Sequence, residues 1–200
     1  MDRKKFLSSA ALLAFSVSVF GKIREENDSF RSNCATTNDI LGPFYRPNAP
    51  IRQDLTNDES IGQKVTLKGK VFGSDCISPL KGALVEIWHA NTKGEYDNES
   101  ENFHQRAQWF TDKNGAYSFT TIIPGKYKNG RLYRPAHIHY RISEENSATL
   151  ISQIYFQGDP HIEKDPWASD KKAELRTLPI VLEDTDGGLT VNFDIYLNNK

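Results

Sequence analysis

Short runs in which apolar and polar residues alternate recur along this sequence and limit what it can fold into. In one run Val65, Leu67 and Val71 share a side, and further runs occupy residues 83–88, 117–120, 136–142, 150–156 and 191–197. A period of two places alternate side chains on opposite faces of a β-strand. Turn-forming residues separate the runs, at Asp112–Gly115, Pro124–Gly125, Asn129–Gly130 and Asp186–Gly188.

Several short strands with regular turn signals are typical of an antiparallel β-sandwich. We therefore predict an all-β fold, an antiparallel β-sandwich of short strands with long loops that carry the active site. Helical periodicity is confined to the N-terminus and to a turn or two near Ser169–Arg176. The length of 200 residues favours a single domain.

The N-terminus has the pattern of a secretory signal peptide. Arg3, Lys4 and Lys5 precede an apolar run from Phe6 to Phe20, and small or branched residues precede a cleavage point after Gly21. A buried helix or a membrane anchor is the alternative, but the run is short for a membrane span. We predict a signal peptide at 1–21, an N-terminal arm at 22–41, a β-sandwich domain at 42–200, and an exported protein without membrane attachment after cleavage.

Charge and cysteine content limit which partners and which cellular compartment suit this chain. The 25 basic and 26 acidic side chains give a net charge of −1 and are spread along the chain, so no basic stripe favours nucleic acid. The two cysteines are Cys34 and Cys76. In an oxidising compartment an even count favours a disulfide, which would close a loop of about 43 residues and stabilise the fold by about 4 kcal/mol. Two buried, unpaired thiols are the alternative.

The segment from Arg134 to His139 contains the first candidate for chemistry. In a strand His137 and His139 project from the same face, while Ile138 points into the core. Two imidazoles placed in this way can bind a metal, although a bare H-x-H pattern also fits two exposed histidines on a polar strand face. Arg134 likewise has two readings, a group beside a substrate or the partner of a surface carboxylate.

The remaining ligands of such a site are not of the usual kinds. The cysteines are better paired with each other, and no H-x-D/E pattern with a distal histidine indicates a ferrous site. Tyrosine is the remaining option, and both Tyr96 and Tyr127 follow strands in turns that can aim a phenol inward. Because free tyrosine has a pKa near ~10, only a strongly Lewis-acidic ion such as Fe(III) readily holds it deprotonated at neutral pH. Each tyrosine has a purely structural role as its alternative.

Several motifs in order resemble the intradiol ring-cleavage dioxygenases of the catechol and protocatechuate 3,4-dioxygenase type, in their small exported form. The resemblance extends from about Gly42 to Asp194. Its pieces are Gly42-Pro43-Phe44-Tyr45, Gly82 to Asn91, Gly94 with Tyr96, Pro124-Gly125-Lys126-Tyr127, Arg134 to His139, and Gln153 with Tyr155, Phe156 and Asp159-Pro160.

The resemblance implies a non-haem Fe(III) ion, one per chain, as cofactor. The implied ligands are Tyr127 and His139 in axial positions and Tyr96 and His137 in equatorial positions. It also implies catalytic roles for Arg134 as a positive charge beside the substrate, for Tyr127 as a base once displaced from the metal, and for Gln153 behind the ligands.

The implied reaction is intradiol (ortho) cleavage of a small catecholic substrate by O2, giving a cis,cis-muconate-type dicarboxylate that contains both oxygen atoms. Family analogy also suggests a homo-oligomer.

Two other functional classes fit parts of the pattern. The turn and core residues around Thr111–Phe119 also occur in non-catalytic transthyretin-like or carboxypeptidase-regulatory-like binding modules. A hydrolase with histidine-bound zinc is the third hypothesis, but it leaves the tyrosines unexplained. Three further histidines stand outside the expected ligand set: His89 behind the site or simply packed, and His104 and His161 at the surface.

Overall fold

The computed structural model describes residues 34–56, 61–182 and 188–200, and residues 35–200 form one compact unit. The predicted signal peptide, most of the predicted arm and the Asp186-Gly187 part of the last turn signal lie outside the described residues. Within the described part of the chain, no helix is long and apolar enough to cross a membrane.

The described residues form twelve short strands and two 3-10 helices. The first six strands are β1 Lys64–Phe72, β2 Leu84–His89, β3 Arg106–Phe110, β4 Ala116–Ile122, β5 Tyr127–Asn129 and β6 Leu132–Arg134. The others are β7 His137–Ser143, β8 Leu150–Phe156, β9 Thr177–Leu178, β10 Val181–Leu182, β11 Leu189–Asn192 and β12 Ile195–Tyr196. The 3-10 helices are Ile162–Lys164 and Lys171–Arg176. The second of them corresponds to the helical turn predicted near Ser169–Arg176.

These strands build two five-stranded sheets and one hairpin. The first sheet contains β1, β4, β10, β11 and β12; the second has the order β3-β2-β7-β8-β9, and β5 pairs with β6. Most pairs are antiparallel, but β1 runs parallel to β11 and β12, and β8 runs parallel to β9. The parallel pairs involve strands reached by long connections, which leave the direction free, whereas a tight hairpin forces antiparallel pairing. The predicted all-β sandwich is confirmed.

The core lies between the inner faces of the two sheets, where the alternation predicted it. Leu67 and Val71 of β1 and Ile138 and Ile142 of β7 are fully buried in one apolar cluster. The two sheets meet directly, since the ring of Tyr140 on β7 packs edge-on at 5.3 Å from that of Phe193 after β11. Burial of such apolar side chains is the main favourable contribution to folding.

The predicted final strand at 191–197 is interrupted in the structure. Asp194 separates β11 from β12, and its Oδ1 accepts a hydrogen bond from the backbone N–H of Lys70. Opposite this point, a Cβ on Gly69 would lie 2.0 Å from the Phe193 carbonyl oxygen. Glycine in β1 therefore lets the two backbones approach where the last strand bends.

The outer face of the second sheet is buried as well, although its residues are polar. It presents His137 and His139 of β7 beside Tyr155 and Gln153 of β8, their direct cross-strand partners. Residues 39–45 pack on this face: the Ile40 carbonyl accepts from Gln153 Nε2 at 2.7 Å, and a Cβ on Gly42 would lie 3.3 Å from His139 Cε1. The histidines are 3% and 2% exposed. The alternative of two exposed histidines is therefore wrong, because an irregular segment from the N-terminal side covers their face.

Candidate metal centre

Three of the four predicted ligand atoms converge on one point. Tyr96 Oη lies 3.0 Å from His137 Nε2 and 3.2 Å from His139 Nε2. Tyr127 lines the same cleft, with its ring 5.7 Å from that of Tyr96 and nearly perpendicular to it. All four side chains predicted as ligands therefore share one site.

Both imidazoles are held so that Nε2 faces the cleft. The Nδ1–H of His137 donates to the Pro135 carbonyl at 2.7 Å, so Nε2 is the unprotonated nitrogen and it faces the cleft. The His139 ring stacks on Trp88, with centroids 4.7 Å apart and planes 8° apart. A Cβ on Gly42 would lie 3.3 Å from His139 Cε1, so the segment above the ring also fits closely. Protein contacts thus fix the orientation of both rings.

The protonation states are those of a site prepared for a metal. Burial and the nearby Arg134 charge lower the pKa of His137 to about 3. Burial, with the charges of His137 and Arg134, lowers the pKa of His139 well below its ordinary value. Burial raises the pKa of Tyr96 above its ordinary value. Both imidazoles are therefore neutral donors at neutral pH, while the Tyr96 phenol needs a strong positive charge to lose its proton.

Two glycines bring the loops of the two tyrosines together. A Cβ on Gly94, whose φ is +81°, would lie 2.1 Å from the Lys126 carbonyl oxygen. A Cβ on Gly125 would lie 2.2 Å from the Thr92 carbonyl oxygen. The backbone before Tyr96 therefore presses against the backbone before Tyr127, at a distance that only residues without a side chain allow.

The donor set identifies the kind of ion that fits. Among the described residues, no group of three or more His, Cys, Asp and Glu side chains could hold a metal. A zinc site built from those residues is therefore not assembled in the described part of the chain. Two neutral imidazoles and two phenols offer nitrogen donors together with hard oxygen donors that become anionic, a combination that suits ferric iron.

Arg134 reaches the same site from the end of β6. Its Nη1 lies 3.4 Å from His137 Nε2, and its Nε donates to Asp165 Oδ2 at 2.7 Å. The two side chains of this ion pair are 6% and 1% exposed. Arg134 thus does pair with a carboxylate, but this carboxylate is buried and not at the surface, and the guanidinium borders the cleft.

Gln153 and Tyr155 lie behind the ligands and fix the other edge of Arg134. The Nη2 of Arg134 donates to Gln153 Oε1 at 3.1 Å and to Tyr155 Oη at 3.2 Å. Gln153 Nε2 donates in turn to the Ile40 carbonyl at 2.7 Å. Gln153 does not itself line the cleft, so the structure places it as a support for Arg134 and for the covering segment.

The site opens into a solvent-connected cleft with a cavity volume of about 100 Å³. The lining residues other than the four candidate ligands are Ile40, Gly42, Pro43, Phe44, Asn129, Arg134 and Trp167. The cleft is therefore mostly apolar, with its polar groups gathered around the four converging donors.

Comparison with known proteins decides the family. A family model described as "Dioxygenase" matches residues 40–199. The protocatechuate 3,4-dioxygenase beta chain of Burkholderia cepacia is 32% identical over 186 residues, which is 81% of this chain and 79% of that protein. The chain belongs to the intradiol ring-cleavage dioxygenase family.

Two further relatives show the extent of the match to this dioxygenase family. Catechol 1,2-dioxygenase 2 of Acinetobacter lwoffii is 36% identical over 150 residues, covering 65% of this chain and 54% of that protein. The dioxygenase domain of a carbohydrate-binding fusion protein from Streptomyces sp. SirexAA-E is 30% identical, with a TM-score of 0.71, and the match covers 83% of this chain and 99% of that domain. This chain spans about half the length of the first curated relatives that it matches.

The other histidines of this dioxygenase-family chain stand outside the site. His89 is buried and packed, with Nδ1 2.8 Å from the Ala90 carbonyl oxygen and Nε2 2.7 Å from Thr121 Oγ1. Burial lowers its pKa to about 4. His104 and His161 are partly exposed and do not line the cleft.

Sequence reasoning missed several residues that complete the site. Asp165 pairs with Arg134, Trp167 stacks on the guanidinium at 4.5 Å, and Asp39 accepts hydrogen bonds from Tyr155 and Arg176. These residues lie in irregular segments, where no periodicity marks the buried positions. The available signal was Trp167, a large aromatic residue in an otherwise polar stretch.

Proposed function

We propose that this chain binds one ferric ion and cleaves a catechol-type ring between its two hydroxyls by incorporation of O2. The product would be a cis,cis-muconate-type dicarboxylate that holds both oxygen atoms. The ion would be bound by Tyr96, Tyr127, His137 and His139. The observation that carries the proposal is the convergence of these donors in one cleft of a chain that belongs to this family.

A ferric ion held by these residues would act as a Lewis acid that prepares a catechol for reaction with O2. The catechol must lose two protons to bind such an ion, one to a base of the chain and the other to solvent. Tyr127 is half-buried at the start of β5 and lines the cleft, so its Oη is accessible to a substrate hydroxyl. We assign it the role of a base that takes one of these protons.

Arg134 supplies a fixed positive charge beside the reacting ring. Its Nη1 edge faces the cleft, while Asp165 and Gln153 hold its other donors. Such preorganised charge stabilises negative charge that develops during reaction. Ile40, Phe44 and Trp167 contribute apolar surface to the cleft, which excludes water and strengthens this interaction.

The visible spectrum and the iron content of the purified protein test the proposal. We expect about one iron per chain and a tyrosinate-to-ferric charge-transfer band that shifts when catechol is added without O2. Tyr96→Phe and Tyr127→Phe should each change the band. Tyr133→Phe is the matched control, since Tyr133 is 41% exposed and does not line the cleft. A folded protein that stays colourless after reconstitution with iron would refute the proposal.

We further propose that the protein is exported after cleavage of residues 1–21 and that Cys34 pairs with Cys76. The N-terminal pattern supports export, and the pairing is supported by the structure, in which both cysteines are disulfide-bonded. Mass spectrometry of the mature protein, intact and as unreduced peptides, checks both points. Sedimentation analysis checks whether it forms the homo-oligomer suggested by family analogy.

A further inference from the structure

The charges around the cleft indicate which rings it accepts. Apart from the candidate ligands, its lining residues are apolar or glycine, except for Asn129 and Arg134. Of the lining residues, therefore, Arg134 alone carries a full charge. A ring that bears a carboxylate would have to find its counter-charge either in Arg134 or outside the lining.

Most of the Arg134 guanidinium is already engaged, and only one edge faces the cleft. Asp165 accepts from Nε at 2.7 Å, and its Oδ1 lies 3.4 Å from Nη2. Gln153 and Tyr155 accept from Nη2, and the Trp167 ring covers the guanidinium at 4.5 Å. The remaining edge, Nη1, faces His137 Nε2. Its free donors thus point at the metal-binding end of the cleft, where the two hydroxyls of a catechol would lie, and away from the far edge of the ring.

Three other arginines are committed to partners away from the cleft. Arg46 pairs with Asp97 at 3.6 Å, Arg176 pairs with Asp39 at 2.8 Å, and Arg141 pairs with Glu86. Arg131 lies on the exposed turn between β5 and β6. Among the described residues, no arginine other than Arg134 lines the cleft.

The lysines in and beside the β5–β6 hairpin do not face the cleft. Side chains two residues apart in a strand share a face, and Tyr127 and Asn129 of β5 both line the cleft. Lys128 between them therefore projects from the opposite face, and it does not line the cleft. Lys126 lies over the Tyr133 ring, at 4.5 Å. Asn129 is thus the position where a cationic side chain would face the cleft but a neutral amide stands.

We infer that the cleft selects ortho-dihydroxy rings whose other substituents are uncharged, and that Asn129 is a specificity-determining residue. This inference rests on the proposed function. A carboxylate buried in an apolar site without a partner is strongly disfavoured. We expect a carboxylated ring to bind at least roughly tenfold more weakly than an uncharged ring of the same size, by analogy with sites that leave a buried polar group unpaired.

Equilibrium binding without O2 tests this with three ligands: catechol, 3,4-dihydroxybenzamide and 3,4-dihydroxybenzoate. The amide and the carboxylate have nearly the same size, so their comparison isolates charge. Tryptophan fluorescence is one readout, because Trp167 lines the cleft, and it applies to iron-loaded and iron-free protein alike. The shift of the visible band in iron-loaded protein is the second. We expect catechol and the amide to bind similarly and the carboxylate at least roughly tenfold more weakly.

Asn129→Lys should shift the ratio of carboxylate to catechol affinity about tenfold in favour of the carboxylate. Asn114→Lys, on the exposed turn before β4, is the matched control for net charge and should leave this ratio unchanged.

Equal binding of the amide and the carboxylate, or a carboxylate affinity that Asn129→Lys leaves unchanged, would overturn the inference while the proposed function stands. Failure of catechol itself to bind would overturn both.

Discussion

Asp165 should be among the residues on which the stability of this fold depends most. Its carboxylate is 1% exposed and forms an ion pair with Arg134, which is 6% exposed. It also accepts hydrogen bonds from the backbone N–H groups of Trp167 at 3.1 Å and Ala168 at 2.8 Å. Although burial alone would lower the pKa of Arg134, the hydrogen bond and charge of Asp165, with other negative neighbours, raise it. The guanidinium still stays charged when its partner is removed, because arginine is not deprotonated in proteins.

The expected cost follows from these contacts. Removal of one partner from a buried ion pair destabilises by about 3–5 kcal/mol, because the other charge remains buried. Asp165→Asn keeps an oxygen for the two backbone N–H groups, so we expect about 3 kcal/mol. Asp165→Ala also leaves those groups without their acceptor, at about 1–3 kcal/mol more. For a domain of this size, 1 kcal/mol corresponds to roughly 2–4 °C in Tm, so Asp165→Asn should lower Tm by about 6–12 °C.

Denaturant unfolding of both variants, followed by circular dichroism, measures these values. Asp170→Asn is the matched control, because Asp170 is exposed and its side chain accepts from the Lys172 backbone N–H at 2.8 Å. It should cost no more than about 1 kcal/mol. If Asp165→Asn costs as little as Asp170→Asn, the pair does not balance a buried charge, and the assigned support of Arg134 is wrong.

Two further outcomes follow from the same structure. Gly94→Ala and Gly125→Ala should each lower the free energy of unfolding by more than about 2 kcal/mol and reduce iron content, because each new Cβ meets a carbonyl oxygen near 2 Å. Gly130→Ala is the control, since a Cβ there has open space around it, and it should cost about 1 kcal/mol. Burial lowers the pKa of His89 to about 4 on folding. As pH falls, the unfolded chain therefore binds this proton before the folded chain does. The free energy of unfolding should decline by roughly 3 kcal/mol between about pH 6.5 and pH 4. His89→Gln should flatten this part of the unfolding free energy measured against pH, and an unchanged slope would contradict the assignment.

The local alternation of apolar and polar residues predicted much of the fold. Alternation identified β1, β2, β4, β7 and β8, and in β7 the side that enters the core, because a strand has a period of two wherever it occurs. The same rule placed His137 and His139 on one face. What alternation could not show was whether that face meets water, since this depends on residues 39–45, which lie far earlier in the chain.

The four candidate ligands divide in the same way. The spacing of His137 and His139 is local and could be read as a pair from the sequence. Tyr96 and Tyr127 came from elimination and from the family resemblance, because no local rule says that a loop after β2 meets the start of β5. Close backbone contact at Gly94 and Gly125 makes that meeting possible, and only the folded chain shows it.

By itself, then, the sequence determined β1, β2, β4, β7 and β8 and a pair of imidazoles on one face of β7. The tertiary structure decided that this face is buried, that two phenols share its cleft, and that Asp165 pairs with Arg134. The physical reason is the separation along the chain of the residues on which each property depends. Periodicity reports on neighbours within a few residues, whereas burial, charge compensation and the convergence of donor atoms depend on segments that are distant in the chain and adjacent only after folding.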